Sequence, residues 1–201
     1  AAGNVTLVDY GNYWSADLAL AYGDDNRPSE IRNGTNGALL DTLLKHNALG
    51  ERMAITNVGG SQRPSFPDKT LHYDEARHII AERQPNGWAY EYIYLDDTPI
   101  AFVRYGGTSG GGTPTLYFYH ADHLDTPRAA TDGAGNLVWA TDTSGEPFAA
   151  EGWSVSGIPI SPRLRFPGQY YLPETGLYYN GYRDYDPVIG RYVESDPIGL
   201  D

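Results

Sequence analysis

The segment from Arg183 to Asp196 carries the side chains best suited to chemistry. Two carboxylates, Asp184 and Asp196, lie twelve residues apart, and Arg183 precedes the first. A pair of carboxyl groups can hydrolyse a peptide bond when one is ionised and activates water while the other is protonated and polarises the carbonyl. Two close carboxyls share a proton, because both cannot easily ionise, and they titrate as a coupled pair. Arg183 would then lower the pKa of an acid or bind the substrate backbone.

The same segment can also form an ordinary hairpin. An extended chain would hold the two acids about 40 Å apart, so the chain must turn back to join them. The run from Asp186 to Gly190 supplies such a turn, with proline early and glycine late, and we expect Asp186 to be a turn former. A hairpin centred between Val188 and Ile189 gives cross-strand pairs that need no catalysis. These pairs are Asp186 with Arg191, Tyr185 with Tyr192, Arg183 with Glu194, and Asp184 with Val193.

In that register Asp184 does not face Asp196, so a further bend at Asp196-Pro197 would have to bring the acids together. Arg183 has an alternative partner in Glu194. From the residues alone, a catalytic pair and a structural hairpin both stay open.

A second group of polar residues, His120 and His123 with Asp122 and Asp125 nearby, has the composition of a metal cluster. A spacing of three suits a helix, whereas this segment is predicted to be a strand followed by a loop, and no third ligand is indicated. We therefore expect loop histidines and no metal. There is no glycine-rich phosphate loop, Ser-His-Asp array or dinucleotide motif, so no cofactor is expected.

Composition restricts the partners. The chain has 201 residues, a formal net charge of −12 and a pI near 4.7, which disfavours direct binding of nucleic acid. Cysteine is absent, which excludes disulfides and thiolate metal sites. No apolar run approaches the ~18–20 residues of a membrane span. The start of the chain has no signal-peptide pattern and is typical of a cut into a longer protein.

The elements that must position these residues are predicted to be strands. Seventeen Tyr and 4 Trp outnumber 5 Phe and 1 Met, and 24 Gly and 14 Pro imply frequent turns. A turn at Asn86-Gly87 indicates a hairpin. Units of strand, turn and strand return at roughly 20-residue spacing, which is typical of a stacked or spiralled β array. After that turn, alternate aromatic residues share one side of a strand and predict sheet core or lining: Trp88, Tyr90, Tyr92 and Tyr94. In contrast, leucines between Leu39 and His46 have helical spacing and favour one short helix.

Longer motifs add a family resemblance. Tyr73-Asp74 forms a YD pair followed by Arg77, and residues 120–128 are similar to a D-H-L-G-T-P-R motif with Asp125 where glycine is usual. The most specific match runs from Phe166 to Leu200 and ends in D-P-x-G-L. These motifs resemble those of the Rhs/YD-repeat proteins, bacterial polymorphic-toxin shells that include the C components of insecticidal Tc toxins. Residues 71–201 match well, whereas residues 1–70 share only the general pattern of short apolar patches between turn residues.

The resemblance implies an all-β fold: a YD-repeat β-sheet spiral that is a fragment of a hollow shell, with an Rhs core at its C-terminal end. The implied domains are a repeat region, residues 1–115, and the Rhs-associated core with an autoprotease motif, residues 116–201. The family core acts as an aspartyl autoprotease that cuts just after D-P-x-G-L. By position, Asp184 and Asp196 would be the acid-base pair, Arg183 would give electrostatic support, and the cut would separate Leu200 from Asp201 in a single turnover.

The implied partners are the protein's own C-terminal toxin domain, expected beyond the cut, and the remaining YD repeats. An immunity protein, a chaperone or secretion-spike proteins would join them. The resemblance further implies an effector made in the cytoplasm and secreted or delivered by a type VI or Tc-like route. Two other functions stay open: a purely structural shell without proteolysis, and a surface module that binds a glycan or receptor through its aromatic residues. Spontaneous scission before Pro187 or Pro197 is a third, chemical alternative.

Overall fold

The structure, a computed structural model, describes residues 3–9, 17–33, 41–58, 67–106, 112–141, 152–154, 160–166 and 168–196. Every regular element in these ranges is a β-strand, which confirms the predicted all-β class. None of the described ranges contains a helix long and apolar enough to cross a membrane. The strands are β1 (Leu7–Val8), β2 (Leu18–Tyr22), β3 (Pro28–Asn33), β4 (Asp41–His46), β5 (Arg52–Val58), β6 (Lys69–Tyr73), β7 (Ile79–Arg83), β8 (Ala89–Leu95), β9 (Thr98–Tyr105), β10 (Thr115–Ala121), β11 (Pro127–Thr131), β12 (Leu137–Thr141), β13 (Gly152–Ser154), β14 (Tyr170–Leu172), β15 (Leu177–Asn180), β16 (Arg183–Asp186) and β17 (Arg191–Tyr192).

The chain folds as two compact units. The first combines Ala1–Thr70 with Tyr171–Asp201, and the second is Leu71–Tyr170. These bounds divide the chain by compactness and do not test the predicted boundary near residue 115. The division there into a repeat region and a core region stays a prediction.

Two antiparallel sheets build the first unit. Strands β1 to β5 each pair with the next along the chain, and β5 pairs with the start of β6 through Ile55 and Lys69. Strands β14 to β17 form the second sheet, again in chain order. Burying each aliphatic side chain stabilises the fold by about 1.5–3 kcal/mol before the entropy cost of ordering it. The buried residues of both sheets include Leu20, Ile31, Leu44, Ile55 and Leu177.

Strand β4 corrects one prediction. The segment Asp41–His46, expected to belong to a short helix, is a strand paired with β3 on one side and β5 on the other. Buried Thr42 and Leu44 alternate with half-buried Leu43 and exposed Lys45, which is the period of a strand. The helix prediction is wrong because, over so short a run, adjacent leucines fit both the helical and the strand period. Pairing with β3 on one edge and β5 on the other makes the segment a strand. Residues 39 and 40 lie outside the described residues.

One turn recurs between strands. The amide of its first residue donates to the carbonyl four residues later, and the amide of its fourth residue donates back to the first carbonyl. The YD pair lies in such a turn, in which Asp74 also accepts a hydrogen bond from the His78 amide at 2.8 Å. The fourth residue has a positive φ, as expected of a three-residue hairpin loop with a bulge. That residue is Asn26, Gly50, Arg77, Gly87, Asp125 or Gly135.

This turn explains the departure at Asp125 from the family motif. Its φ of 57° lies in the left-handed region, where glycine is the usual occupant and aspartate is among the better tolerated alternatives. Asp125 also accepts a hydrogen bond from the Thr98 hydroxyl at 2.6 Å, which offsets part of the backbone cost.

An aromatic face forms the core of the second unit. Strands β7 to β13 pair antiparallel in chain order. Residues 160–166 cover this face, because the Ser161 amide donates to the Tyr90 hydroxyl at 3.1 Å and the Arg163 amide to the Tyr92 hydroxyl at 3.3 Å. The prediction of sheet core is confirmed for Tyr90 and Tyr92, and their covered rings offer no surface for sugar stacking. The buried aromatic residues of this sheet face include Tyr90, Tyr92, Phe102, Tyr117, Tyr119 and Trp139.

Candidate active site

Strand β16 places Asp184 in the interior of the first unit. The strand pairs with β15 through Tyr179 opposite Asp184, and with β17 through Tyr185 opposite Tyr192 and Asp186 opposite Arg191. The last two pairs confirm the predicted hairpin register. Successive side chains of a strand point to opposite faces, and here Asp184 and Asp186 are fully buried while Arg183 and Tyr185 are half-buried.

Asp186 is the turn former that the sequence indicated. Its carboxylate accepts a hydrogen bond from the Val188 amide at 2.9 Å, and its carbonyl accepts one from the Gly190 amide at 2.9 Å. Gly190 has a φ of 68°, which a side chain would make costly. The chain therefore reverses between β16 and β17, so that Val193 and Glu194 run alongside Asp184.

Arg52 is the cationic partner of Asp184. Its Nη1 and Nη2 atoms donate to Oδ1 and Oδ2 of Asp184 at 2.8 and 2.7 Å, and each side chain is 1% exposed. The Arg52 guanidinium also lies 4.2 Å from the ring centroid of Tyr179, whose hydroxyl accepts the Arg52 amide at 2.9 Å. Burial alone would raise the pKa of Asp184, but the charge and hydrogen bonds of Arg52 outweigh burial and hold that pKa below its usual range. Asp184 is therefore an ionised carboxylate inside the protein.

Glu194 is a second carboxyl beside Asp184. Its Oε2 atom accepts the Asp184 backbone amide at 2.7 Å, and its Oε1 atom is buried without a hydrogen-bond partner among the described residues. Glu194 is 5% exposed. Burial and then the charge of Asp184 raise the pKa of Glu194 well above its usual range. The first unit thus contains an ionised carboxyl, Asp184, beside a protonated one, Glu194.

Two further titratable groups surround this pair. The Tyr22 hydroxyl lies 2.6 and 3.0 Å from the carbonyl oxygens of Val5 and Val193, and burial followed by the charges of Glu194 and Asp184 raises its pKa. Burial and then the charges of Arg52 and Arg27 lower the pKa of His46 to about 4. At neutral pH His46 is therefore uncharged, and Arg52 is the cation in contact with Asp184.

Asp196 and Arg183, the other predicted site residues, contact each other. Arg183 Nη1 lies 3.2 Å from Asp196 Oδ2, and the guanidinium lies 3.9 Å from the ring centroid of Tyr192. The side chains of Arg183 and Asp196 are 28% and 43% exposed. Since Arg183 and Asp184 are consecutive in a strand, the Arg183–Asp196 pair and the Arg52–Asp184 pair belong to opposite faces of β16.

The chain leading to the predicted cut is held by the start of the same unit. The Ser195 amide donates to Oδ1 of Asn4 at 2.9 Å, and Nδ2 of Asn26 donates to the Ser195 hydroxyl at 3.1 Å. Leu200 and Asp201, the predicted cleavage site, lie outside the described residues. Their role and the roles of Asp184, Asp196 and Arg183 stay predictions.

Sequence reasoning missed Arg52 and considered Glu194 only as an alternative partner of Arg183. Arg52 lies 132 residues before Asp184, and no local pattern marks it. Glu194 carried a signal, since it lies one residue beyond the position opposite Asp184 in the predicted hairpin.

The histidine segment has structural contacts. His120 Nε2 lies 3.0 Å from the Thr131 hydroxyl, and Asp122 accepts two turn amides together with Nε of Arg128 at 2.8 Å. Across the described ranges, no group of three or more histidine or acidic side chains is placed to hold a metal ion.

Comparison with known proteins defines the family. No family model matches the chain. Toxin protein Tse5 of Pseudomonas aeruginosa is 42% identical over 206 residues, which cover 91% of this chain and 15% of that protein. The probable deoxyribonuclease RhsB of Dickeya dadantii is 54% identical over 90 residues, covering 45% of this chain and 6% of that protein. The crystal structure of TcdB2-TccC3-Cdc42 has a TM-score of 0.66 at 18% identity, covering 90% of this chain and 9% of that one.

The antiparallel β-sheet fold of this chain is shared with that TccC3-containing structure. The chain is an Rhs/Tc-toxin-like core region, as the family resemblance implied. It spans a small part of the length of each relative.

Proposed function

We propose that the chain is a shell segment of a delivered bacterial toxin, which encloses a C-terminal toxin domain and releases it by one intramolecular cut after Leu200. One relative is a toxin and another a probable deoxyribonuclease, and the structural neighbour shares the β-sheet fold. The observation that carries the catalytic part is Asp184, a buried carboxylate compensated by Arg52 in the segment before D-P-x-G-L. Enclosure would require the remaining repeats.

In the proposed reaction Asp184 is the base and Asp196 the acid. Asp184 takes a proton from water as the water oxygen attacks the Leu200 carbonyl carbon. Asp196 gives a proton to the nitrogen of Asp201 as the carbon–nitrogen bond breaks. The products are a carboxyl group on Leu200 and an amino group on Asp201, and each chain reacts once. Arg183 supports the reaction by holding Asp196.

One contact and one chain separation support this assignment. Arg183, the chain neighbour of Asp184, lies 3.2 Å from Asp196, so Asp196 contacts β16 one residue from Asp184 and on the opposite face of the strand. Asp196 precedes Leu200 by only four residues, which keeps the proposed scissile bond within ~14 Å of an acid even in extended chain.

The proposal extends to delivery. A type VI or Tc-like route, with secretion-spike proteins, a chaperone and an immunity protein as partners, is the context in which an enclosed toxin would be released. The effector would be made in the cytoplasm and act after delivery.

Intact-mass analysis of the full-length protein tests the cut. We expect wild type to be cut after Leu200, and we expect Asp184→Asn and Asp196→Asn to remain whole. Asp186→Asn is the matched control, because Asp186 is equally buried in the same strand but serves the turn, and it should still be cut.

Three results would contradict the proposal. An uncut wild type would indicate a passive shell. A cut before Pro197 would indicate spontaneous acid scission, and a cut indifferent to both substitutions would place the chemistry elsewhere.

A further inference from the structure

The burial of Asp184 beside Glu194 determines which of the two carboxyl groups carries a proton. Both residues are buried, Glu194 Oε2 lies 2.7 Å from the backbone nitrogen of Asp184, and two ionised carboxyl groups in one buried cluster would repel each other. Both oxygens of Asp184 already accept hydrogen bonds from the Arg52 guanidinium, at 2.8 and 2.7 Å. A cation bound in this way favours the ionised form of Asp184, and the proton therefore belongs to Glu194.

We propose that Glu194 is a positioning residue for the cut: it carries the proton of the Asp184–Glu194 pair, and loss of this proton stops cleavage at alkaline pH. This inference rests on the proposed function. It adds a residue that neither the motif nor the predicted acid pair contains.

Charge balance gives the physical reason. With Glu194 protonated, the cluster holds one carboxylate and one guanidinium, which compensate each other. Ionisation of Glu194 would place a second negative charge against Asp184 in a buried site, where repulsion between like charges is strong. Residues 193–195, which lead to Asp196, would then move away from Asp184.

The titratable groups around Glu194 come from four strands. Asp184 of β16 and Arg52 of β5 act on it directly, and Tyr22 of β2 is close enough for its own ionisation to be affected by Glu194. His46 of β4 acts on Asp184 and is uncharged at alkaline pH. Tyr22 remains protonated because its pKa is raised. Glu194 is thus the group in this set that changes charge between neutral and moderately alkaline pH.

The test is the pH dependence of cleavage in full-length protein. Protein freshly made by cell-free translation is moved into buffers from about pH 5 to about pH 10, and the rate of appearance of the Leu200 product is measured. We expect the wild-type rate to fall about tenfold per pH unit above a midpoint. In Glu194→Gln the rate should hold its plateau through that range, because the Gln oxygen can still accept the Asp184 amide and the side chain cannot ionise.

Two further variants keep the result interpretable. Glu194→Asp retains an ionisable group with a shorter side chain, and we expect its alkaline midpoint to move. Glu51→Gln makes the same chemical change at another buried glutamate of the unit, and it should keep the wild-type alkaline fall.

Each outcome separates the inference from the proposed function. A wild-type cut whose alkaline fall survives unchanged in Glu194→Gln, or whose midpoint is unmoved in Glu194→Asp, would overturn the inference alone. A folded Glu194→Gln protein that is uncut at every pH would also overturn it, since Glu194 would then transfer its proton rather than position Asp184. A wild type uncut after Leu200 at every pH would overturn the proposed function, and the inference with it.

Discussion

Replacing Arg52 by methionine should destabilise the first unit by about 3–5 kcal/mol at neutral pH, because it leaves the buried charge of Asp184 without its partner. The structure supports this range independently. The substitution removes two hydrogen bonds between charged groups, at 2.8 and 2.7 Å, and such bonds contribute about 1.5–3 kcal/mol each. Methionine retains most of the packing against Tyr179, so the loss is mainly electrostatic.

The penalty should shrink in acid. In wild type the pKa of Asp184 is depressed, so the pair stabilises the fold above the unfolded value of about 3.9 and loses this contribution as the pH falls through the folded pKa. In Arg52→Met, burial without a cation should raise the pKa of Asp184, so the variant gains stability relative to wild type as the pH approaches about 4. Asp184 then enters the interior uncharged.

Urea denaturation followed by circular dichroism at pH 7 and about pH 4.5 measures both effects. The double variant Arg52→Met/Asp184→Asn is the control, since removing the stranded charge should restore most of the lost stability at pH 7. A penalty below about 1 kcal/mol, or one that Asp184→Asn leaves unchanged, would refute the assignment of a buried ion pair.

Three other perturbations test separate parts of the fold. As the pH falls from about 6.5 to about 4, His46→Gln should lose less stability than wild type. Folding depresses the pKa of His46, so in this range the unfolded wild-type chain takes up a proton that the folded protein does not, and wild-type stability falls; denaturation at several pH values measures this. Gly135→Ala should destabilise by about 1–2 kcal/mol in thermal unfolding, because its φ is 83° while an added Cβ meets no atom within 4 Å; Gly133→Ala, with the same open space and no positive φ, should be near neutral. Tyr170→Phe should cost about 1.5–3 kcal/mol in urea denaturation, since its hydroxyl donates to the buried Glu82 carboxylate at 2.6 Å; an unchanged midpoint would contradict that role.

Local features of the fold could be predicted from the sequence. The pairing of Tyr185 with Tyr192 follows from the position of Pro187 and Gly190, because a tight turn fixes the register of the strands that it joins. The burial of Tyr90 and Tyr92 follows from period-two aromatic spacing. Both features depend on residues fewer than ten positions apart.

The partners of Asp184 could not be predicted in the same way. Arg52 reaches it across 132 residues of chain, and a lone arginine at the start of a strand gives no local signal of its partner. In the structure Arg183 and Glu194 have other partners than each other. Arg183 lies 3.2 Å from Asp196, and Glu194 accepts the Asp184 amide at 2.7 Å. Strand β4 illustrates the same limit, since its neighbours β3 and β5 decided its conformation.

The long separation between Arg52 and Asp184 also has a kinetic consequence. Closing a loop of this length is entropically costly and makes the contact a late event in folding. During synthesis, Arg52 leaves the ribosome well before Asp184, and the pair can form only when the last strands dock on the first. A reaction that depends on this pair would therefore start only after the unit is complete, so the completion of folding would determine when the cut occurs.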